Sequence, residues 1–440
     1  MVFKILRVIV VAMMAGFLIL FNFAGYGNAA KAKKTIYISH CDTGNRAYLD
    51  TAIAQFQKSY PKVQIKVTHY FKSADYRNGT YQEYLKVLNT KLMTGQGADI
   101  VYLNRLPYRK YIEKNCFVDL GRFIKKDQGF NFNDYQTNIL NGCKVKGKLY
   151  TWPVMFSFEV LAANQDILKQ KSVVIQGDKL NLNGLAAVAK RVTEDINRDG
   201  KPDRYALPHL KPKFLLPYIP AFVNPDTKQA RFNSPEFIQL LNTAKMFNDQ
   251  ELAMPPLSDN DTLDALNRGA IVFTDFSIDS YCSISVLRGI FNGKVELLNF
   301  APKGSLGFFS CDNDLYAVSQ RTRYKSEAWQ FLKLLLSEEI QSGLEGLTVN
   351  KKAQRKFVSR VMGQKMFGSI NGRNMALDPL TQEDTDRINR LIQRLRTNYY
   401  SDTTLNELIT RELTEFFDDK KNAKETAKII QNKVSIYLGE

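Results

Sequence analysis

Apolar residues recur along the chain in two alternating periods. Residues 35–39, and then Val63, Ile65 and Val67, alternate with polar neighbours, the two-residue period of a half-buried strand. Between them, over 46–59, Leu49, Ile53 and Phe56 share one helical face, and Pro61 ends that helix. Tyr81, Leu85, Leu88 and Leu92 form a second helical stripe closed by Gly95, and 98–103 is then a short buried strand. Strands alternating with helices of this length predict an α/β fold with a mostly parallel sheet, which binds ligands beyond the carboxyl ends of its strands. After Pro153 the pattern predicts helices over 185–194, 237–247 and 326–336, and strands over 270–273 and 315–318. Trp329, Leu332 and Leu336 point inward from one of these helices. Residues 381–440 predict almost entirely helix, with Ala423, Ala427, Ile430 and Val434 striping the last one.

Ahead of the first strand, Lys4 and Arg7 precede an uncharged, mostly apolar run over 8–21, followed by Ala24, Gly25, Gly27, Ala29 and Ala30. Residues 1–30 are thus expected to be a secretory signal peptide or, uncut, an N-terminal anchor, since 8–24 is close to the ~17 residues that span a bilayer. Both place Lys31 onward in an extracytoplasmic location, the periplasm or the outer face of the cell membrane. The first cysteine, Cys41, lies inside the first strand–loop unit, so no lipobox cysteine is expected. The five cysteines (Cys41, Cys116, Cys143, Cys282, Cys311) show no CxxC spacing, which excludes a redox motif or a metal cluster. One or two disulfides and scattered buried thiols both stay open.

With 440 residues, 44% hydrophobic and 24% charged, the chain has the composition of a two-domain globular protein, neither disordered nor polytopic. Sixty-one basic against 44 acidic residues give +17, or +15 once Lys4 and Arg7 are removed, spread without a basic block. A solvated basic surface is expected rather than a nucleic-acid site. The three histidines (His40, His69, His209) form no HExxH motif, and neither GxSxG nor GxGxxG occurs. Residues 142–149 imitate a phosphate loop until Leu149 takes the place of the hydroxyl residue. No enzyme activity is expected. Asp195, Asn197, Asp199, the Lys201 carbonyl and Asp203 fall at positions 1, 3, 5, 7 and 9 of a calcium loop, with Gly200 at 6. A structural calcium away from the ligand site is the expectation, although Ala206 replaces the usual bidentate Glu; the alternative is an Asx-rich turn.

Several segments together resemble the extracellular solute-binding proteins of ABC importers, the maltose-binding type among them. These are Thr51 to Val63 with its Tyr60-Pro61 turn, Leu88 to Ile100 with Gly95, Gly97 and Asp99, and Asp119-Leu120. Gly147-Lys148-Leu149-Tyr150-Thr151-Trp152-Pro153, Asn164-Gln165-Asp166-Ile167-Leu168 and Val349-Asn350-Lys351-Lys352-Ala353 continue the series. Their order and spacing span nearly all of 35–440. The resemblance implies two α/β lobes joined by a crossing hinge: 35–154 with 300–318 in the first, 160–295 with 320–440 in the second, the latter ending in a helical C-terminal region. It implies a monomer that captures a small polar ligand, a sugar or oligosaccharide, for ABC permease transmembrane subunits, with no nucleic acid partner. The alternative is a surface sensor or interaction protein serving a signalling partner. The implied cleft residues are Asp42 after the first strand, Trp152 at the first crossing, Asp275 and Phe276 in the loop after 270–273, and Phe308 and Phe309 before another crossing. Family members often carry Trp in that loop, where this chain has Thr274-Asp275-Phe276-Ser277.

Overall fold

The computed structural model describes residues 33–41, 47–70, 80–103, 106–175, 180–298, 307–311, 314–398 and 402–440. The expectations for residues 1–30 and for Asp42 lie outside them. No helix among the described residues is long and apolar enough to cross a membrane.

The first sheet has five strands in the order Val63–His69, Lys34–His40, Ile100–Tyr102, Leu315–Val318, Trp152–Pro153. The first three run parallel, from Lys34↔Val63 to His40↔His69 and with Ile38↔Ile100. The other two are added antiparallel to their neighbours, with Tyr316 opposite both Tyr102 and Trp152. Sequence accounts for each position. Val63 and Ile65 are buried while Gln64 and Lys66 are exposed, as an edge strand covered on one face requires, and Ile100–Tyr102, buried throughout, fills the centre. The helix Ala47–Ser59 covers this sheet with Leu49, Ala52 and Phe56.

Helix Lys325–Leu335 packs on the same side, and this corrects the expected boundary at 320. Phe331 meets Phe56 edge-on at 5.4 Å, Glu327 pairs with Lys34, and Trp152 Nε1 donates to the Leu332 carbonyl at 2.8 Å. The helix therefore belongs to the first lobe.

The second sheet is antiparallel throughout, with Phe158–Asn164 between Val295–Leu298 and Phe273–Ile278. It buries Leu161, Ala163 and Phe273 on one face, against helices Leu182–Val192 and Pro235–Asp249 and the C-terminal pair Thr403–Phe417 and Ala423–Gly439. The predicted strand over 270–273 starts later, because Ile271 forms only an isolated bridge to Tyr205 before the pairing with Phe158–Asn164 begins. The C-terminal pair is closed by Glu412, whose nearly enclosed carboxylate takes Lys421 and Lys433 at 2.6 Å each. The chain passes between lobes after Pro153 and again before Leu315, and these passages pair at Ser157↔Ser310 through two backbone hydrogen bonds of 2.8 and 2.9 Å. The first core continues through this crossing to the other face of the second sheet, taking in Val160, Ala162, Ile284 and Leu287.

Candidate ligand-binding cleft

The three parallel strands of the first lobe end at one edge, and antiparallel Leu315–Val318 begins there. A buried aromatic floor lies beneath that edge. The His40 ring stacks on Tyr102 at 4.0 Å and 13°, and Tyr102 sits 5.3 Å from Tyr316. Tyr48 donates to Asp314 Oδ1 at 2.6 Å, and its oxygen is 2.8 Å from that of Tyr316. Burial, then Tyr316 and Asp314, hold the Tyr48 phenol far above its usual range, so it stays protonated and remains a donor. The connecting segments 42–46, 71–79, 104–105 and 312–313, which continue this edge in sequence, lie outside the described residues.

The second lobe supplies a wall made of sheet. Opposed residues of an antiparallel pair share a face, so Glu159 and Ser277 stand on the face that carries Leu161, Ala163 and Phe273 into the second core. Towards the crossing at Ser157 that face turns polar. Glu159 is open to solvent yet enclosed by protein on most sides, and this enclosure raises its carboxyl pKa. Asp275 and Asp279 push it in the same direction, while a hydrogen bond from Ser277 and the nearby Lys213 oppose them. Burial, with Lys211 beside it, lowers the pKa of His209, which favours the neutral ring.

On one flank the lobes touch. Helix Tyr108–Glu113 of the first lobe meets the hairpin of Val223–Asn224 and Gln229–Ala230: Arg109 pairs with Asp226, and Lys228 reaches Glu113 at 3.2 Å. Asn398 Nδ2 donates to the Tyr108 hydroxyl at 3.2 Å. Beside these contacts lies a concavity of about 460 Å³ whose polar lining includes Arg109, Arg231, Asn224, Asn398 and Asn406. Its volume is in the range of small-molecule sites. Amides, guanidinium groups and carboxylates in such a space bind hydroxyl-rich molecules by donating and accepting at once.

The sequence model of the family described as "bacterial extracellular solute-binding protein" matches residues 51–355. The chain belongs to this family. As a solute-binding protein it also shares its fold with solved structures along nearly the whole chain. An ABC substrate-binding protein of Listeria monocytogenes, in complex with cycloalternan, is 16% identical with a TM-score of 0.60, covering 92% of this chain and 99% of its own. The sugar-binding protein MalE of Xanthomonas citri is 12% identical with a TM-score of 0.65, covering 92% and 98%. A maltose/maltodextrin-binding domain of Bdellovibrio bacteriovorus bound to maltotriose is 16% identical with a TM-score of 0.56, covering 92% and 100%.

Within this solute-binding protein the sequence-predicted site residues do not converge. Trp152 is fully buried, 5.1 Å from Trp329 and 5.6 Å from Phe130, so it packs the first core and lines no cleft. Phe309 is buried too, against Gly142 and edge-on to Phe156. Phe308 is half-buried in the short pairing of Gly307–Phe309 with Leu395–Asn398. Asp275 and Phe276 sit in a strand, not a loop, and therefore point to opposite faces. Asp275 is exposed beside Glu159, whereas Phe276 packs on the first core. Glu159 is a residue that the sequence reading missed, although it is an acid near the start of a mostly apolar strand, Phe158–Asn164.

The turn over 195–203 folds on its own hydrogen bonds. Asp195 accepts from the amides of Arg198, Asp199 and Gly200, and Asp203 Oδ2 from those of Ile196 and Asn197. The Asn197 amide nitrogen lies 3.2 Å from both Asp199 Oδ2 and Asp203 Oδ1. Among the described residues no three His, Cys, Asp or Glu side chains are grouped to hold a metal ion.

Proposed function

We propose that the protein captures a sugar or oligosaccharide between its lobes, outside the cytoplasm, and delivers it to the transmembrane subunits of an ABC permease. The observation that carries this reading is the interlobe flank: a polar concavity of about 460 Å³ beside the contact between Arg109 of the first lobe and the Val223–Ala230 hairpin of the second, on two lobes joined by paired crossing strands. Hydroxyl-rich ligands suit carboxylate, amide and guanidinium groups, and the fold's relatives include proteins solved with cycloalternan and maltotriose. Binding would act through hinge closure, since a ligand touching both walls favours the closed state. No catalytic step is part of the reading. Residues 1–30 act as the export signal, with no lipid-modified cysteine, and the exported protein works as a monomer.

Thermal-shift screening against a panel of mono- and oligosaccharides, followed by calorimetric titration of hits, tests the proposal. Stabilisation that grows with ligand concentration is expected. Silence across neutral, acidic and amino sugars, together with binding to a peptide panel, would reject the sugar assignment.

Calcium in the 195–203 turn remains a proposal supported by donor spacing, with the Asn197 amide nitrogen standing between two carboxylates where a cation would sit. It predicts a higher melting temperature in calcium than in chelator, a difference that Asp199→Ala removes. Identical melting in both solutions would leave only a hydrogen-bonded turn.

A further inference from the structure

Two of the five cysteines, Cys143 and Cys311, bring their sulfurs into contact. Cys143 Sγ and Cys311 Sγ lie 3.8 Å apart, and both residues are about 98–99% buried. The approach has a local cause. Helix Thr137–Gly142 ends on Gly142, where a Cβ would come within 2.6 Å of the Phe309 ring and 2.7 Å of the Arg396 carbonyl. Only glycine lets the helix end sit this close to strand Gly307–Phe309, and the next residue of the helix terminus then faces Cys311. Two further thiols have different neighbours: Cys116 Sγ is 3.8 Å from the Lys114 carbonyl, and Cys282 Sγ is 3.5 Å from Met366 Sδ.

We propose that Cys143 and Cys311 form a disulfide in the exported protein. The sulfurs must close from 3.8 Å to about 2.05 Å to form the bond. The oxidant is a disulfide of the oxidising compartment, either a small-molecule disulfide or an oxidoreductase. The thiolate of one cysteine attacks a donor sulfur and expels the first thiolate leaving group. The second cysteine thiolate then attacks the mixed disulfide and expels the other. The protein loses two protons and two electrons, and the donor leaves as two thiols. Because both sulfurs are buried in the folded chain, the exchange takes place during folding.

The bond would close a loop of 168 residues between the first lobe and a crossing. Cys311 directly follows Ser310, which pairs with Ser157 where the chain passes between lobes. Fixing Cys311 to the helix end at Cys143 makes this strand part of the first lobe, so hinge rotation falls on the second-lobe side of the Ser157–Ser310 pair. The physiological part of this inference rests on export, whereas the choice of pair rests on geometry alone, and the two are tested separately.

For the pair, chain beginning at Ala30, which contains both cores, is reduced, unfolded and refolded in a mixture of reduced and oxidised glutathione. It is then alkylated and digested. A Cys143–Cys311 cross-linked peptide should dominate, with three alkylated thiols left. Cys116→Ser should keep the cross-link and Cys311→Ser should abolish it. A melting temperature several degrees higher for the oxidised than for the reduced wild type is expected, with no difference in Cys143→Ala. Five alkylated thiols, or a dominant peptide joining another pair, would overturn the proposal. For the compartment, protein precipitated in acid directly from cells is dissolved in denaturant and alkylated there. Full alkylation of Cys143 there, with the cross-link still forming in the glutathione mixture, would reject export into an oxidising space while leaving the geometric pairing intact.

Discussion

The two lobes present different material to the cleft. In the first, the parallel strands stop at a floor of His40, Tyr102, Tyr316, Tyr48 and Asp314 whose rings and carboxylate engage one another. In the second, the wall is the sheet: one strand face passes from the apolar Leu161 and Ala163 to the polar Glu159 within a few residues. The first arrangement separates stability from recognition, because its buried groups are engaged with one another rather than presented outward. The second couples them, since a change at Glu159 alters both the cleft surface and the charge held by the sheet.

The separation in the first lobe can be tested most severely at Trp152. Trp152→Ala should cost about 3–5 kcal/mol of stability, the usual range for deleting a large buried aromatic. The loss includes its contact with Trp329 and its hydrogen bond to the Leu332 carbonyl. Urea denaturation measures the loss, and calorimetry on the folded variant should find ligand affinity within about twofold of wild type. A strong fall in affinity with little loss of stability would return Trp152 to the cleft.

A smaller effect is expected at Asp127, which anchors the same core. Burial pushes its carboxyl pKa up, but Lys333, at 2.9 and 3.0 Å, and the Trp329 indole N–H, at 2.8 Å, outweigh it and hold the value low. A depressed carboxyl pKa stabilises the fold above the unfolded value, about 3.9 for Asp, and that stability is lost as pH falls through the native value. Asp127→Asn should therefore cost about 1.5–3 kcal/mol at neutral pH, the range for hydrogen bonds to a charged group. Denaturation curves of the two proteins should converge in acid; a gap that persists there would assign the loss to packing.

The coupling claimed for the second lobe is sharpened at Glu159. Its raised carboxyl pKa means the charged form is disfavoured in the folded protein. The stability it contributes is present below the unfolded value, about 4.3, and is lost as pH rises through the raised native value. Glu159→Gln should thus be more stable than wild type at neutral pH and equal to it in acid. If Glu159 accepts a ligand hydroxyl, the same variant should bind about tenfold more weakly, in line with a hydrogen bond to a charged group. A variant with unchanged affinity would detach this wall from recognition.

The motifs that resemble the family turn out to serve the backbone. Asn164 Oδ1 accepts from the amides of Asp166 and Ile167 and so caps helix Gln165–Gln170. Asn350 does the same for Lys352 and Ala353, and its amide also reaches the Leu336 carbonyl. Asp99 takes the Tyr37 amide at 2.8 Å. Capping and turn chemistry are local, which is why short segments carried the two-lobe fold so well. The same locality kept them silent about the ligand. Trp152 shares a segment with such a motif, and only the distant Leu332 and Trp329 show that it is buried. The resemblance implies a loop after 270–273, whereas the strand runs over Phe273–Ile278; its pairing with Phe158–Asn164 is a long-range contact that no local pattern records. The Asn371-Gly372 turn of hairpin Met366–Ile370 and Arg373–Leu377 was a readable signal, with both residues at positive φ.

The least effect is expected where the lobes touch. Arg109 is mostly covered, at 14% side-chain exposure, but its partner Asp226 stands at 34%, so solvent screens the pair and its worth is at most about 1 kcal/mol. That amount changes an open–closed equilibrium by about fivefold, which is small for stability but measurable for a hinge. Arg109→Ala should shift the ligand-free protein towards the open state, seen as a larger radius of gyration in solution scattering, and should weaken ligand binding by up to about fivefold. The wild type should approach the variant as salt rises towards about 1 M, where the Debye length falls to ~3 Å. The exchanged pair Arg109→Asp with Asp226→Arg should recover part of the difference, because the contact joins the same two lobes with its charges reversed. Identical scattering of wild type and Arg109→Ala at low salt would mean that this flank does not move when the lobes open, and that the hinge axis passes through it.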